Sequence, residues 1–350
     1  MGNKKIYDFI IVGQGIAGTV FASSLLNLNK SFVVIDSIKP REMSPSRIAL
    51  GVYNPLVLKW ITKVWNADHQ LESLFSFCNF FENHFQTKIH FKQNIYRLLE
   101  SSLDINNWNA KQSSIKLSRY LSRSLNDLNF TEKKFGQVLN SGWVDVKLML
   151  DVFLGYIQER QIFLNKKIDY KRIIFKDDLI YYDNIICRNI VFCEGCSVYH
   201  NPFFKKAKVI PTKGEAIKIH CPNLNLRSVL HTGVLIIPLK DDIYHVGSTY
   251  DPNDTSILPT KKAIDKLTNK LSVIKKFPHK IINHLAAHRP STEDRKPILG
   301  PSVNNKNIFI FNGLGSRGIL LAPYLSEQLI NHIYSNKVIE SEISYKRFEL

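Results

Sequence analysis

Gly13-Gln14-Gly15-Ile16-Ala17-Gly18 is the stretch that decides the fold. It stands where an apolar run of strand length, Ile-Tyr-Asp-Phe-Ile-Ile-Val over residues 6–12, hands over to a helical pattern from Ile16 to Leu28. A second β-branched run, Phe32-Val33-Val34-Ile35, ends at Asp36. Strand, glycine turn, helix and parallel strand in about 30 residues make a βαβ unit. The first glycine permits the tight turn, the second lets a pyrophosphate approach the backbone, and the third lets helix and strand pack closely. The helix N-terminus meets phosphate charge with free N–H groups, and an acid at the end of the second strand binds a ribose hydroxyl. Gly13, Gly15, Gly18 and Asp36 are therefore the expected contacts to a dinucleotide. The fingerprint alone does not choose between a nicotinamide and a flavin.

The 350 residues, 44% hydrophobic and 22% charged, suffice for two compact units and exclude a mini-protein, a fibre or a disordered tail. A net charge of +17, from 47 basic and 30 acidic residues, points toward phosphates or another anionic partner. A compositional reading stands beside it, because 34 lysines against 13 arginines is also what an AT-rich genome produces. The five scattered cysteines (Cys78, Cys187, Cys193, Cys196, Cys221) indicate no disulfide framework and fit a reducing cytoplasm. Lys4-Lys5 before an apolar stretch imitates a secretion signal, but Asp8 and Gln14 interrupt it. No stretch of about 20 residues is apolar enough to span a bilayer. Met1-Gly2 is no myristoylation start either, since Ile6 stands where Ser or Thr is required.

Further along, periodicity predicts helices over 68–85 and 144–159, a strand over 89–99, and a polar loop with a short helix over 106–140. Strands dominate 168–250, punctuated by Pro211, Pro222 and Pro238, before a helix near 260–276. The C-terminal part repeats the opening logic: Ile308-Phe309-Ile310-Phe311 meets the glycine turn Asn312-Gly313-Leu314-Gly315-Ser316-Arg317-Gly318, and a helix follows from about Pro323 to Tyr334. Cys193-Glu194-Gly195-Cys196 spells C-x-x-C, but no second pair or spaced histidine cluster completes a metal site. His284 and His288 lie in strand-like context beside Pro290, so no metal is expected there.

Five segments in order carry a family resemblance: the N-terminal fingerprint; Ile190-Val191-Phe192-Cys193-Glu194-Gly195; Val209-Ile210-Pro211-Thr212-Lys213-Gly214-Glu215 with Leu235-Ile236-Ile237-Pro238 and Gly247-Ser248-Thr249; the stretch from His288-Arg289-Pro290 to Pro297-Ile298-Leu299-Gly300; and Gly315-Ser316-Arg317-Gly318-Ile319-Leu320-Leu321-Ala322-Pro323. Through them the chain resembles the D-amino-acid-oxidase-like FAD-dependent oxidoreductases over nearly its whole length. The resemblance implies an α/β plus α+β architecture: a discontinuous Rossmann-like FAD-binding domain (1–55, 145–200 and 281–350) and a mainly antiparallel-sheet substrate domain (56–144 and 201–280). It implies FAD as cofactor, held non-covalently, since no cysteine follows Cys221 to attach it. Ser46, Ala49 and Gly51 match the small-residue loop along flavin and pyrophosphate. Gly195 matches the second strand turn, and Gly313, Gly315 and Gly318, with Ile319, match the turn facing the flavin's pyrimidine side. Arg289 and Arg317 are implied as the catalytic-site cations, a guanidinium being suited to hold a carboxylate by two parallel hydrogen bonds.

The activity implied is oxidation of a C–N bond of an amino acid or N-substituted glycine by hydride transfer to flavin. Gly142-Trp143 and Gly313-Leu314-Gly315-Ser316-Arg317-Gly318 look like a tRNA-modifying branch that removes a carboxymethyl group from a wobble uridine's aminomethyl nitrogen. Ile319-Leu320-Leu321-Ala322-Pro323 looks equally like the glycine-oxidase branch. The partner is thus a small amino acid or amine, with tRNA as the alternative. Dividing the charge by the expected domains leaves +5 on the FAD part and +12 on the substrate part, which favours an anionic partner over even genomic drift.

Overall fold

The computed structural model describes residues 5–37, 44–123, 125–128, 131–273 and 278–349. The start at Met1-Gly2 and Lys4 lies outside them, as do residues 274–276 of the helix expected near 260–276. Two eight-stranded sheets organise the chain. The first has a parallel centre, because each of its βαβ crossovers returns the chain to the same end. Ile6–Val12 pairs in parallel with Phe32–Asp36 on one side and Ile185–Phe192 on the other; Phe163–Asn165 extends one edge and Ile308–Asn312 adds to Ile185–Phe192. Both faces of this centre are covered, so its strands are nearly continuous apolar runs. Phe9, Ile10, Ile11, Val34, Ile190, Val191 and Ile310 are each 0–1% exposed.

The helices Ile16–Asn27 and Gly318–Ser335 pack side by side on one face. Phe21 ties them to the sheet through edge-to-face ring contacts with Phe9 (centroids 5.4 Å apart) and Phe311 (6.4 Å). The helix Val146–Glu159 joins the same core through Met149, Leu150 and Phe153. Asp145 caps it, its side chain accepting from the Leu148 N–H at 3.0 Å. Asp145→Ala is expected to lower stability by about 1 kcal/mol, read as a shifted denaturation midpoint at unchanged slope.

The second sheet runs in the order Lys280–Thr292, Val209–His220, Ile243–Gly247, Leu235–Pro238, Val229–His231, Ile95–Leu99, Thr131–Val138, Asn126–Leu128. Its ladders are antiparallel except that between Val229–His231 and Ile95–Leu99. The protein therefore combines a discontinuous Rossmann-like region with a separate, mixed and mainly antiparallel sheet. The long strand Lys280–Thr292 leads from the second sheet back toward the first.

Three local expectations change. The strand expected over 89–99 is two: His90–Lys92 pairs with Gly142–Val144, whereas Ile95–Leu99 enters the large sheet. Between them the Gln93 N–H turns to the Ser141 carbonyl. The 106–140 segment is not mainly loop. Its helix spans Ser102–Gln112, held by a Ser101/Asp104 capping box, and Thr131–Val138 is a strand on Ile95–Leu99. The C-terminal helix starts at Gly318 rather than near Pro323, which lies buried inside it. Among the described residues, no helix is long and apolar enough to cross a membrane. All five cysteines are free thiols.

Candidate active site

The parallel strands end at one side of the first sheet, and there the glycine turns open into a cleft of about 870 Å³. That volume lies in the upper part of the range for small-molecule sites, about 300–1,000 Å³. Gly13, at φ +106°, makes the turn out of the first strand; a Cβ on it would overlap the Cys193 carbonyl of the neighbouring strand. Gly15, Ile16 and Ala17 carry the start of the helix into the cleft. Gly15 supplies no side-chain cap, and the Ile16 N–H is instead met by Ser46 Oγ at 3.1 Å, from the loop beyond the second strand. Asp36 stands at the cleft wall with Oδ2 accepting the Gln14 N–H at 2.7 Å, which fixes the carboxylate beside the turn.

Of the residues expected from the sequence, Gly13, Gly15, Asp36, Ser46, Ala49, Gly51, Gly195, Gly315, Gly318, Ile319, Arg289 and Arg317 all line this cleft. Gly18 and Gly313 do not. A Cβ on Gly18 would overlap the Gly13 carbonyl, so it lets the helix close on the turn; one on Gly313 would come within 2.9 Å of Thr292 Cγ2. At Gly51 (φ +68°) the demand for glycine is also one of packing, since a Cβ would run into the Val144 carbonyl.

Both arginines line the cleft, Arg289 from the strand Lys280–Thr292 and Arg317 from the turn before the helix Gly318–Ser335. Arg289 Nη2 donates to Ser248 Oγ (2.6 Å) and the Thr249 carbonyl (3.1 Å), and Nη1 to the Lys213 carbonyl (3.4 Å). Gly214 makes this placement possible, because a Cβ there would overlap the whole guanidinium. Arg317 precedes the helix Gly318–Ser335 and donates to the Leu56 carbonyl at 3.1 Å. Burial pulls both arginines below the ordinary guanidinium pKa, with only Tyr250 opposing it at Arg289. Among the described residues, neither has a carboxylate within ion-pairing distance. Taking a cation out of water without a counter-charge is costly, so such groups call for an anion from outside.

Sequence reading passed over Glu194, Gly214 and Ser248 as site residues, although each lies in a quoted segment. Glu194 lines the cleft and accepts from Tyr170 Oη (2.6 Å) and Asn201 Nδ2 (2.7 Å); burial raises its pKa against these bonds. His284 Nε2 lies 2.9 Å from Glu215 Oε2. Cys193 and Cys196 are pushed to high pKa by burial, which makes them poor nucleophiles.

Residues 8–331 match the DAO family, described as FAD dependent oxidoreductase. The chain belongs to that family. Glycine oxidase of Bacillus subtilis is 28% identical over 168 residues, which cover 45% of this chain and 44% of that protein. The tRNA 5-methylaminomethyl-2-thiouridine biosynthesis bifunctional protein of Marinobacter nauticus is 28% identical over 153 residues, covering 40% of this chain and 24% of its own length. The matched stretches thus span less than half of these curated relatives. Iminodiacetate oxidase of Chelativorans sp. BNC1 shares the fold, with a TM-score of 0.78 over 96% of this chain and 98% of that one, at 17% identity.

The residues of this cleft suit the family's cofactor, FAD. Two helix N-termini, at Gly15–Ile16 and Arg317–Gly318, point partial positive charge into the cleft. The glycine turns leave room for close backbone approach, and the acid at Asp36 stands at the strand end where a ribose would lie.

Proposed function

We propose that the protein oxidises a C–N bond of an amino acid or N-substituted glycine, with FAD as the acceptor. One observation carries this reading. Two guanidiniums that lack a carboxylate partner among the described residues open into the same cleft as the dinucleotide cradle.

Gly13, Gly15, Ser46 and Asp36 would hold the FAD pyrophosphate and ribose without a covalent link. Gly315, Gly318 and Ile319 at the second helix N-terminus would face the flavin and favour the negative charge it gains on reduction. Bound FAD supplies the two-electron acceptor for hydride leaving the carbon next to nitrogen. The chain's own part is mainly positional. Arg289, itself fixed by Ser248, Thr249 and Lys213, takes the substrate carboxylate by its charge and by an N–H that these contacts leave over, and so restricts the attitude of the adjoining carbon. In this reading 1–55, 145–200 and 281–350 serve mainly the cofactor, with Arg289 on the second-sheet strand Lys280–Thr292 the exception, and 56–144 and 201–280 shape the substrate side.

Incubating the FAD-loaded protein with glycine, N-methylglycine and proline should release an imine-derived carbonyl product from at least one of them. Absence of carbonyl product from every amine, with lactate or another hydroxy acid oxidised instead, would defeat the C–N assignment.

A second reading, an amine carried on a tRNA wobble uridine, is supported by the match to the bifunctional tRNA-modifying protein and by the +12 charge on the substrate part. It expects loss of the carboxymethyl group from suitably modified tRNA. Unchanged tRNA alongside brisk turnover of free amino acids would exclude it.

A further inference from the structure

Lys213 is fully buried and does not line the cleft. Its direction follows from the pleat of Val209–His220, in which successive side chains face opposite sides of the sheet. Gly214 lies beneath the Arg289 guanidinium on the cleft side, whereas Ile217 packs with Leu267 and Leu271 of the helix Lys261–Ser272 on the far side. The side chains of Lys213 and Glu215 share that far side. There the Lys213 ammonium donates to Asp254 Oδ2 (2.7 Å), Ser256 Oγ (2.9 Å) and the Leu258 carbonyl (2.6 Å), with Glu215 Oε1 at 3.6 Å. Glu215 accepts in turn from the Thr260 N–H (2.7 Å) and hydroxyl (2.9 Å).

Residues 248–260 connect Ile243–Gly247 to that helix, so this connection is tied to the back of the sheet along its second half. Its near end is what holds Arg289. Ser248 Oγ and the Thr249 carbonyl accept from Nη2, and Asp251 exchanges two backbone hydrogen bonds of 3.0 Å with Lys213, whose own carbonyl accepts from Nη1. Among the described residues, each acceptor of Arg289 therefore belongs to this connection or to Lys213. Burying an ammonium is costly, and an ion pair inside a protein is often no more stabilising than apolar side chains of similar volume. What the lysine adds over leucine or methionine is three directed bonds to three residues of one loop.

We propose that Lys213 is a positioning residue for carboxylate recognition. By tying residues 254–258 to the back of the sheet, it keeps Ser248 and Thr249 in place at the front and so keeps the Arg289 guanidinium aimed into the cleft. This rests on the Arg289 anchor of the C–N oxidase reading and deepens it, since it names the part of the fold that sets the anchor's direction. The requirement is geometric: a guanidinium holds a carboxylate well only at a fixed angle and distance.

The test cuts the loop's side of the contact and leaves Lys213 itself in place, because deleting its ammonium would leave the Leu258 carbonyl and Glu215 short of a buried partner. Asp254→Ala/Ser256→Ala removes two of the three acceptors, and Glu215 still pairs the ammonium. The probe is (methylthio)acetate, a carboxylate with sulfur where the amine nitrogen would be and no C–N bond to oxidise. Its binding to the FAD-loaded protein is read from the change in flavin absorbance. The double variant should hold FAD as firmly as the unaltered protein and bind the probe about three- to tenfold more weakly, the size of a misaligned hydrogen bond to a charged group. In an Arg289→Lys background, which lacks the fork that the loop aligns, the same two substitutions should change the affinity by less than about twofold. Unchanged affinity in the Arg289 protein would overturn the positioning role, as would an equal loss in both backgrounds, which a general softening of the fold produces. Failure of the probe to bind the unaltered protein at all would take down the Arg289 anchor, and the positioning of it as well.

Discussion

Arg289→Ala is expected to lower kcat/KM for an amino-acid substrate by roughly 30- to 1,000-fold, equivalent to about 2–4 kcal/mol for a desolvated charged hydrogen-bonding pair. Both kcat and KM should suffer, because the guanidinium supplies binding energy and also fixes the carbon next to nitrogen. Gly214→Ala should reproduce most of this loss without touching the arginine, since the added carbon would occupy the space of the guanidinium. The double variant should then be hardly worse than either single one, the non-additivity expected of residues that act as a unit. Arg289→Lys should recover only part, having charge without the fork. Steady-state kinetics on the four proteins checks this. Additive losses would mean that Gly214 acts on something other than the placement of Arg289.

Gly18→Val should strip the protein of FAD. A side chain at Gly18 would meet the Gly13 carbonyl, and Ile11 Cγ2 is already 3.4 Å from the first carbon of such a side chain. The helix would have to lift off the turn whose N–H groups face the pyrophosphate. Overpacking of this kind costs about 1–3 kcal/mol in stability, and the displacement falls on the phosphate-facing turn itself. FAD retained after gel filtration, relative to the unaltered protein, is the measurement. Gly155→Ala is the control: Gly155 lies in the helix Val146–Glu159 outside the cleft, with nothing within 4 Å of an added Cβ. Alanine there should stabilise the helix by about 0.5–1 kcal/mol, and FAD should stay bound. Equal retention by both variants would contradict the packing role given to Gly18.

The cradle was legible because its chemistry is local. A tight turn, a helix N-terminus and an acid at a strand end are each spelled by neighbouring residues, and Gly13, Gly15 and Asp36 could be found one motif at a time. The surroundings of Arg289 were not legible in this way. Its partners Ser248, Thr249 and Lys213 reach it only through the pairing of Val209–His220 with both Ile243–Gly247 and Lys280–Thr292. The strand Thr131–Val138 hid for another reason. Its first half carries Glu132, Lys133 and Lys134 in succession, all exposed, so no alternation of period two announces a half-buried strand. At Pro323, local propensity and tertiary demand disagreed. The sequence invites a helix to begin at the proline, whereas the turn at Arg317 needs a helix N-terminus immediately after it, and Gly318 supplies it.

The most direct test of the account is the reductive half-reaction alone. Mixed anaerobically with an excess of N-methylglycine or iminodiacetate, the FAD-loaded protein should lose its visible flavin absorbance and, after water hydrolyses the imine, yield glyoxylate and the complementary amine, one of each per flavin reduced. Arg289→Ala should bleach far more slowly at the same concentration. Flavin that stays oxidised in the presence of every N-substituted glycine and free amino acid, yet bleaches with a hydroxy acid or a reduced nicotinamide, would contradict it.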